Sequence, residues 1–145
     1  MTGDNNIVMG EFASKKCAMS GNGNIVMGDC AGCMMTSAFC NIVMGRNAAR
    51  GGIFTGDDNI ILGTQAASDI TGGANNIILG HNAGDGTTSG SRNIAIGYEV
   101  DLPSATGNDQ LAIGCCTGRW ISGDSSFNVT LAGIALTVFN STNRL

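Results

Sequence analysis

Charge is scarce in this chain of 145 residues: Asp, Glu, Lys and Arg make up 12% of it, and the net charge is −4. Its seven basic residues, Lys15, Lys16, Arg46, Arg50, Arg92, Arg119 and Arg144, are scattered. A nucleic-acid partner would call for clustered Lys and Arg against the phosphates, so none is expected. Long apolar runs are also missing. None approaches the roughly 20 residues that cross a bilayer as a helix, and we expect no membrane insertion. The first residues lack the basic start and apolar stretch of a secretion signal, so we expect synthesis in the cytoplasm without export. Proline occurs once, which leaves sharp corners to the 23 glycines. Yet 43% of the residues are apolar, and disordered Gly- and Ser-rich chains are poor in such residues.

Chemistry has equally little to stand on. The only histidine, His81, falls in a turn position shared by Glu11, Asp29, Arg46, Thr64, Tyr98 and Cys115. A solvated turn residue is expected there rather than a general base. No phosphate-binding loop and no nucleophile–base pair is present, so no catalytic residue and no cofactor are expected. Six cysteines are present: Cys17, Cys30, Cys33, Cys40, Cys115 and Cys116. Cys30 and Cys33 have C-x-x-C spacing, but a zinc ribbon needs a second matched pair. Cys30 shares its turn position with Phe12, Asn47, Gln65, Asn82, Glu99 and Cys116, a variety unlike a ligand shell. Cys17 and Cys33 are expected on a second strand as small hydrophobes. We expect free thiols and no metal.

What the chain does have is one pentapeptide, repeated. Asn-Ile-Val-Met-Gly stands at residues 6–10, 24–28 and 41–45. Variants follow at 59–63, 76–80, 93–97 and 110–114. The steps between leading positions 6, 24, 41, 59, 76, 93 and 110 are 18, 17, 18, 17, 17 and 17 residues. An imperfect eighth copy begins at Asn128. A fixed period running almost end to end is the signature of a stacked repeat architecture. Seventeen residues divide into strand, turn, strand and turn. Gly recurs too often, and the apolar run is too short, for a helix. The expected fold is an all-β solenoid, or β-roll, of about eight two-strand coils. Residues 1–117 would form the repeat domain, and 118–145 a terminal coil and cap.

Alternate residues of a strand face opposite ways. One face of the pentapeptide strand collects Ile7, Met9, Ile25, Met27, Ile42, Met44, Ile60, Leu62, Ile77, Leu79, Ile94, Ile96, Leu111 and Ile113. The other collects Val8, Val26, Val43, Ile61, Ile78, Ala95 and Ala112. Both are apolar, the pattern of a parallel strand covered on both sides. A narrow coil covers only one of them, and the simplest supplier of the other cover is an identical chain. We expect the middle residues, drifting from Val to Ala, to face sister chains. Three buried aliphatics per coil do not offset the ordering of seventeen residues, which again calls for a homo-oligomer. Asn6, Asn24, Asn41, Asn59, Asn76, Asn93 and Asn128, with Gln110 in place, are expected to stack at about 4.8 Å as a structural amide ladder.

The unit Asn-Ile-Ala-Ile-Gly, preceded by Ser/Thr-Gly, resembles the head repeat of trimeric autotransporter adhesins over roughly residues 2–117. The resemblance implies a left-handed parallel β-roll assembled as a homotrimer. Residues 117–133 are similar to a stretch in tail-fibre-like structural proteins of marine cyanobacterial phages, where it follows such repeats. Together the two resemblances imply a non-enzymatic virion protein, a tail-fibre or fibre-tip segment. Its partners would be itself, other virion proteins and a host-surface glycan or protein. A cell-surface adhesin head is the alternative. Ice binding is a weaker one, because the Thr residues (Thr55, Thr71, Thr87, Thr88, Thr106) keep no sequence register. Trp120, Ile121, Phe127 and Phe139 concentrate bulk where the repeat decays, as a capping layer would. For Trp120 and Phe127 the competing reading is a glycan contact.

Overall fold

The computed structural model describes residues 2–16, 18–116 and 118–132, and among them there is no helix. Nine strands form one sheet in sequence order, β1 (Ile7–Met9), β2 (Ile25–Met27), β3 (Ile42–Met44), β4 (Ile60–Leu62), β5 (Ile77–Leu79), β6 (Ile94–Tyr98), β7 (Leu111–Cys115), β8 (Gly118–Gly123) and β9 (Val129–Leu131). Strands β1 to β7 pair in parallel with the three apolar residues of each pentapeptide opposite their counterparts, Ile7 to Ile25 to Ile42 and onward. A parallel neighbour reached after seventeen or eighteen residues requires a crossover. Here each crossover is the rest of the coil, so the chain is a β-solenoid of about six turns.

Each coil closes with two left-handed backbone positions that the sequence supplies in register. Just before the Asn, Asn5, Cys40, Asp58, Asn75, Arg92 and Asp109 have φ between 56° and 59°. Two residues past the Gly, Phe12, Cys30, Asn47, Gln65, Asn82, Glu99 and Cys116 have φ between 47° and 60°. Non-glycine residues hold such values only where their surroundings over-determine them. Backbone hydrogen bonds to the preceding coil do so, as from Asn47 N to Asp29 O at 2.9 Å and from Gln65 N to Arg46 O at 2.9 Å. The pentapeptide Gly is different: Gly28 has φ +131°, and a Cβ there would sit 2.7 Å from the Gly45 carbonyl oxygen. That position admits glycine alone.

Two expectations about the coil need correction. No second strand forms among the described residues. The opposite wall is held by single rungs, such as Thr55 N to Thr71 O at 2.7 Å and Thr71 N to Thr88 O at 2.8 Å, and by one isolated bridge between Met35 and Phe54. Repeated left-handed residues there (Ser14, Ala49, Ala67) break the extended geometry a strand needs. Nor do the described residues form an eighth parallel coil. After β7 the chain reverses, and β8 and β9 pair antiparallel. Gly118 and Gly123 bound β8, leaving too short a link from Cys115 for another crossover.

The core is a single column. Val26, Val43, Ile61, Ile78, Ala95 and Ala112 are fully buried inside the coils, and so are Ala31, Ala48, Ala66, Ala83 and Val100 from the turn. Met19, Met35, Phe54 and Ile70 fill the space from the opposite wall. The expectation that the middle residues face sister chains is therefore reversed. A seventeen-residue coil is narrow, and small or β-branched side chains fit its interior while Ile, Met and Leu do not all fit with them.

Candidate interaction surfaces and the amide spine

The outward residues of the sheet make its most unusual surface. Ile7, Met9, Met44, Ile60 and Ile77 are exposed, and Ile25, Met27, Ile42, Leu62, Leu79, Ile94, Ile96, Leu111 and Ile113 half-buried. The apolar strip continues past the change of strand direction. Ile121 lies opposite Ile113, Leu131 opposite Ile121, and Val129 opposite Gly123. Cross-strand partners share a face. Over nine strands the strip is about 40 Å long and about 10 Å wide, roughly 400 Å². A patch of that size matches the largest apolar patches of typical monomers, which often serve a function.

Beneath one corner runs the amide spine. Asn24, Asn41, Asn59, Asn76 and Asn93 are fully buried, with Gln110 5% exposed. At Asn59 the Nδ2 donates to Asn41 Oδ1 at 3.0 Å, to Gly73 O at 2.9 Å and to Asp57 O at 3.0 Å. Its Oδ1 accepts from both the backbone N and Nδ2 of Asn76, each at 2.9 Å. No donor or acceptor of these amides points outward for a ligand. Asn6 joins the spine at its open end through Asn24. Asn128 does not: it lies exposed in the β8–β9 turn and hydrogen-bonds Asp124. Its placement in the ladder failed because the chain had already turned back.

The aromatic residues near the end are not buried as a packed cap. Trp120 is 63% exposed and Phe127 82%, while Ile121 is half-buried on the outward strip. The backbone of β8, rather than aromatic bulk, covers the β7 edge. Phe139 and Cys17 lie outside the described residues. The Thr register also differs from expectation. Thr55 and Thr71 occupy successive rungs, and the Thr55, Thr71 and Thr88 hydroxyls donate to the carbonyls of Thr71, Thr88 and Ala105. Insertions of single residues between repeats hid this alignment.

The five described cysteines are free: Cys33 is buried, Cys30 and Cys115 are half-buried, and Cys40 and Cys116 are exposed. Loss of solvation pushes the Cys30 and Cys116 thiols above their ordinary value. Asp29 adds to the effect at Cys30, and Cys115 and Glu99 at Cys116. A raised thiol is the reverse of what a nucleophile or metal ligand needs. His81 stacks on Tyr98 of the next coil, ring centroids 5.2 Å apart. Among the described residues no three His, Cys, Asp or Glu side chains gather closely enough to hold a metal ion.

Two polar recesses open on the turn side. One, of about 360 Å³, is lined by Asn82, Asp85, Glu99, Asp101 and Cys116. The other, of about 330 Å³, is lined by residues of four successive coils, Lys16 and Arg50 among them. Sequence reasoning missed both recesses, although the alternation of 18- and 17-residue coils marked the second. Comparison with known protein families, with curated proteins and with solved structures finds no match.

Proposed function

We propose that the chain is a non-enzymatic structural protein whose outward strip packs against further copies of itself. The reading extends to a homotrimeric segment of a phage tail fibre or fibre tip, which presents its turns to a host surface. One observation carries it: the coil interior is already filled by the middle residues, yet the other sheet face remains apolar across all nine strands. Covering about 400 Å² at ~25 cal/mol per Å² yields at most about 10 kcal/mol per chain, of the same order as the freedom lost on association. The number three comes from the resemblance to trimeric adhesin heads, and the virion setting from the resemblance of residues 117–133 to phage fibre proteins. Other virion proteins and a host-surface glycan or protein are the partners this reading implies.

Antibodies against the chain test the setting. Decoration of purified phage particles at the tail supports it; labelling confined to the cell envelope would favour the adhesin head instead.

A further inference from the structure

Period and recess coincide. Between the turn alanine and the residue whose carbonyl accepts the amide spine, the chain runs from Ala13 to Gly21 and from Ala48 to Gly56 in the two longer coils. In the others it runs one residue less, as from Ala31 to Ala38 and from Ala66 to Gly73. Both ends are pinned by hydrogen bonds, Ala48 N to Gly45 O at one and Asn41 Nδ2 to Gly56 O at the other. The extra residue must therefore be taken up on the wall opposite the sheet. The first and third coils carry it and the second does not. Two longer segments lie on either side of a shorter one, where the recess is found, with half-buried Met34 of the shorter coil in its lining.

The side chains around that recess differ in kind from the acidic set one turn away. Lys16 and Arg50 are exposed cations two coils apart, about 10 Å along the stack. Both side chains border the recess from separate coils, an arrangement that can meet a ligand with charges spaced along its length. Asn47 and Gln65 each offer an amide that donates and accepts, and Asp69 adds an acceptor. At Gly51 the chain passes close against the next coil: a Cβ there would lie 2.5 Å from the Ser68 carbonyl oxygen and 2.9 Å from Asp69 Oδ1.

We propose that this recess binds an acidic oligosaccharide, with carboxylates at Arg50 and Lys16 and ring hydroxyls at Asn47, Gln65 and Asp69. A guanidinium holds a carboxylate through two parallel hydrogen bonds, and an ammonium holds one as a point charge. Amides paired with a carboxylate suit hydroxyls, which both donate and accept, while Asp69 disfavours a multiply charged phosphate. None of these residues lies on the apolar strip, so the recess stays open when that strip is covered. The recess gives the attachment reading a ligand class, and its biological setting rests on that reading.

The test is calorimetry on the full chain with a galacturonate hexamer. Its carboxyl-reduced neutral counterpart and a glutamate hexapeptide serve as comparison probes. Binding of the uronate is expected, weakened about tenfold or more by the double variant Lys16→Gln, Arg50→Gln and by raising salt from about 0.05 M to about 0.5 M. Glu99→Gln, in the acidic recess, should leave it unchanged. No uronate binding at millimolar concentration overturns the proposal, as does equal binding of either comparison probe or an unaffected double variant. Sedimentation on the same samples separates the two readings. A trimer that ignores uronate overturns only the ligand class, whereas a monomer that binds it overturns only the assembly.

Discussion

Asn59 shows what a single residue contributes to a coil. Its amide is fully buried and takes part in five side-chain hydrogen bonds to four residues. Replacement by Ala leaves the Gly73 and Asp57 carbonyls, the Asn41 oxygen and the Asn76 donors short of partners. Each unsatisfied buried group costs about 1–3 kcal/mol, so Asn59→Ala should destabilise by about 3 kcal/mol or more. Asn128→Ala, at an exposed turn, should change stability by less than about 1 kcal/mol. Urea denaturation of both variants checks this, and a small effect at Asn59 would remove the spine from the account of stability. The spine was legible in the sequence because an amide at one fixed step has only its own kind above and below. The error at Asn128 came from reading the step without the change of strand direction. Acid titration works at the same scale. The Arg92 guanidinium, in contact at 2.7 Å, holds the Asp109 carboxyl below its ordinary value. The Asn128 side chain does the same for Asp124. A depressed carboxyl stabilises the fold fully above the unfolded value and loses that contribution as pH falls through the folded one. The melting temperature should therefore drop below about pH 4. The double variant Asp109→Asn, Asp124→Asn should show a shallower drop between about pH 5 and about pH 3, and an equal drop would refute these two carboxyls as contributors.

At the scale of the element, the sequence left one ambiguity that only packing resolves. A triplet such as Ile-Val-Met is apolar on both sides, so alternation alone cannot say which side faces in. Size held a clue: the middle position shrinks to Ala95 and Ala112, as a confined interior demands, while the flanking positions stay large. The second wall was harder still. Its rungs carry varied residues, and an extra residue in two of the six crossovers destroys the simple register that would have revealed the Thr alignment and the recess. The end of the sheet was misread for another reason. Bulk at Trp120 and Phe127 resembles a cap in sequence, but β8 covers the β7 edge with its backbone and leaves Trp120 63% exposed. Trp120→Ala should accordingly shift stability by no more than about 0.5 kcal/mol in thermal unfolding. A loss of about 3 kcal/mol, typical of a buried aromatic, would restore the packed-cap reading.

For the whole molecule, the question is what an apolar strip does on a chain with so little charge to keep it solvated. The opposite wall and the turns carry hydroxyls, amides and most of the charged groups, so the molecule is two-sided, one side apolar and the other polar. If the strip is the interface, charge placed in its middle must break the assembly without breaking the coil, because Ile60 and Ile77 point away from the filled interior. The variant Ile60→Lys, Ile77→Lys should remain a folded solenoid, with the β-sheet circular dichroism of the parent. In sedimentation equilibrium at micromolar concentration it should run as a monomer where the parent runs as a trimer. Burying two unpaired ammonium groups costs several kcal/mol per chain, comparable with the at most about 10 kcal/mol that covering the strip would yield. The matched control is Thr64→Lys, His81→Lys on the turn column, which adds the same two positive charges and should leave the trimer intact. A parent that sediments as a monomer would remove the interface altogether. Dissociation of both variants alike would show that net charge, rather than the strip, governs association.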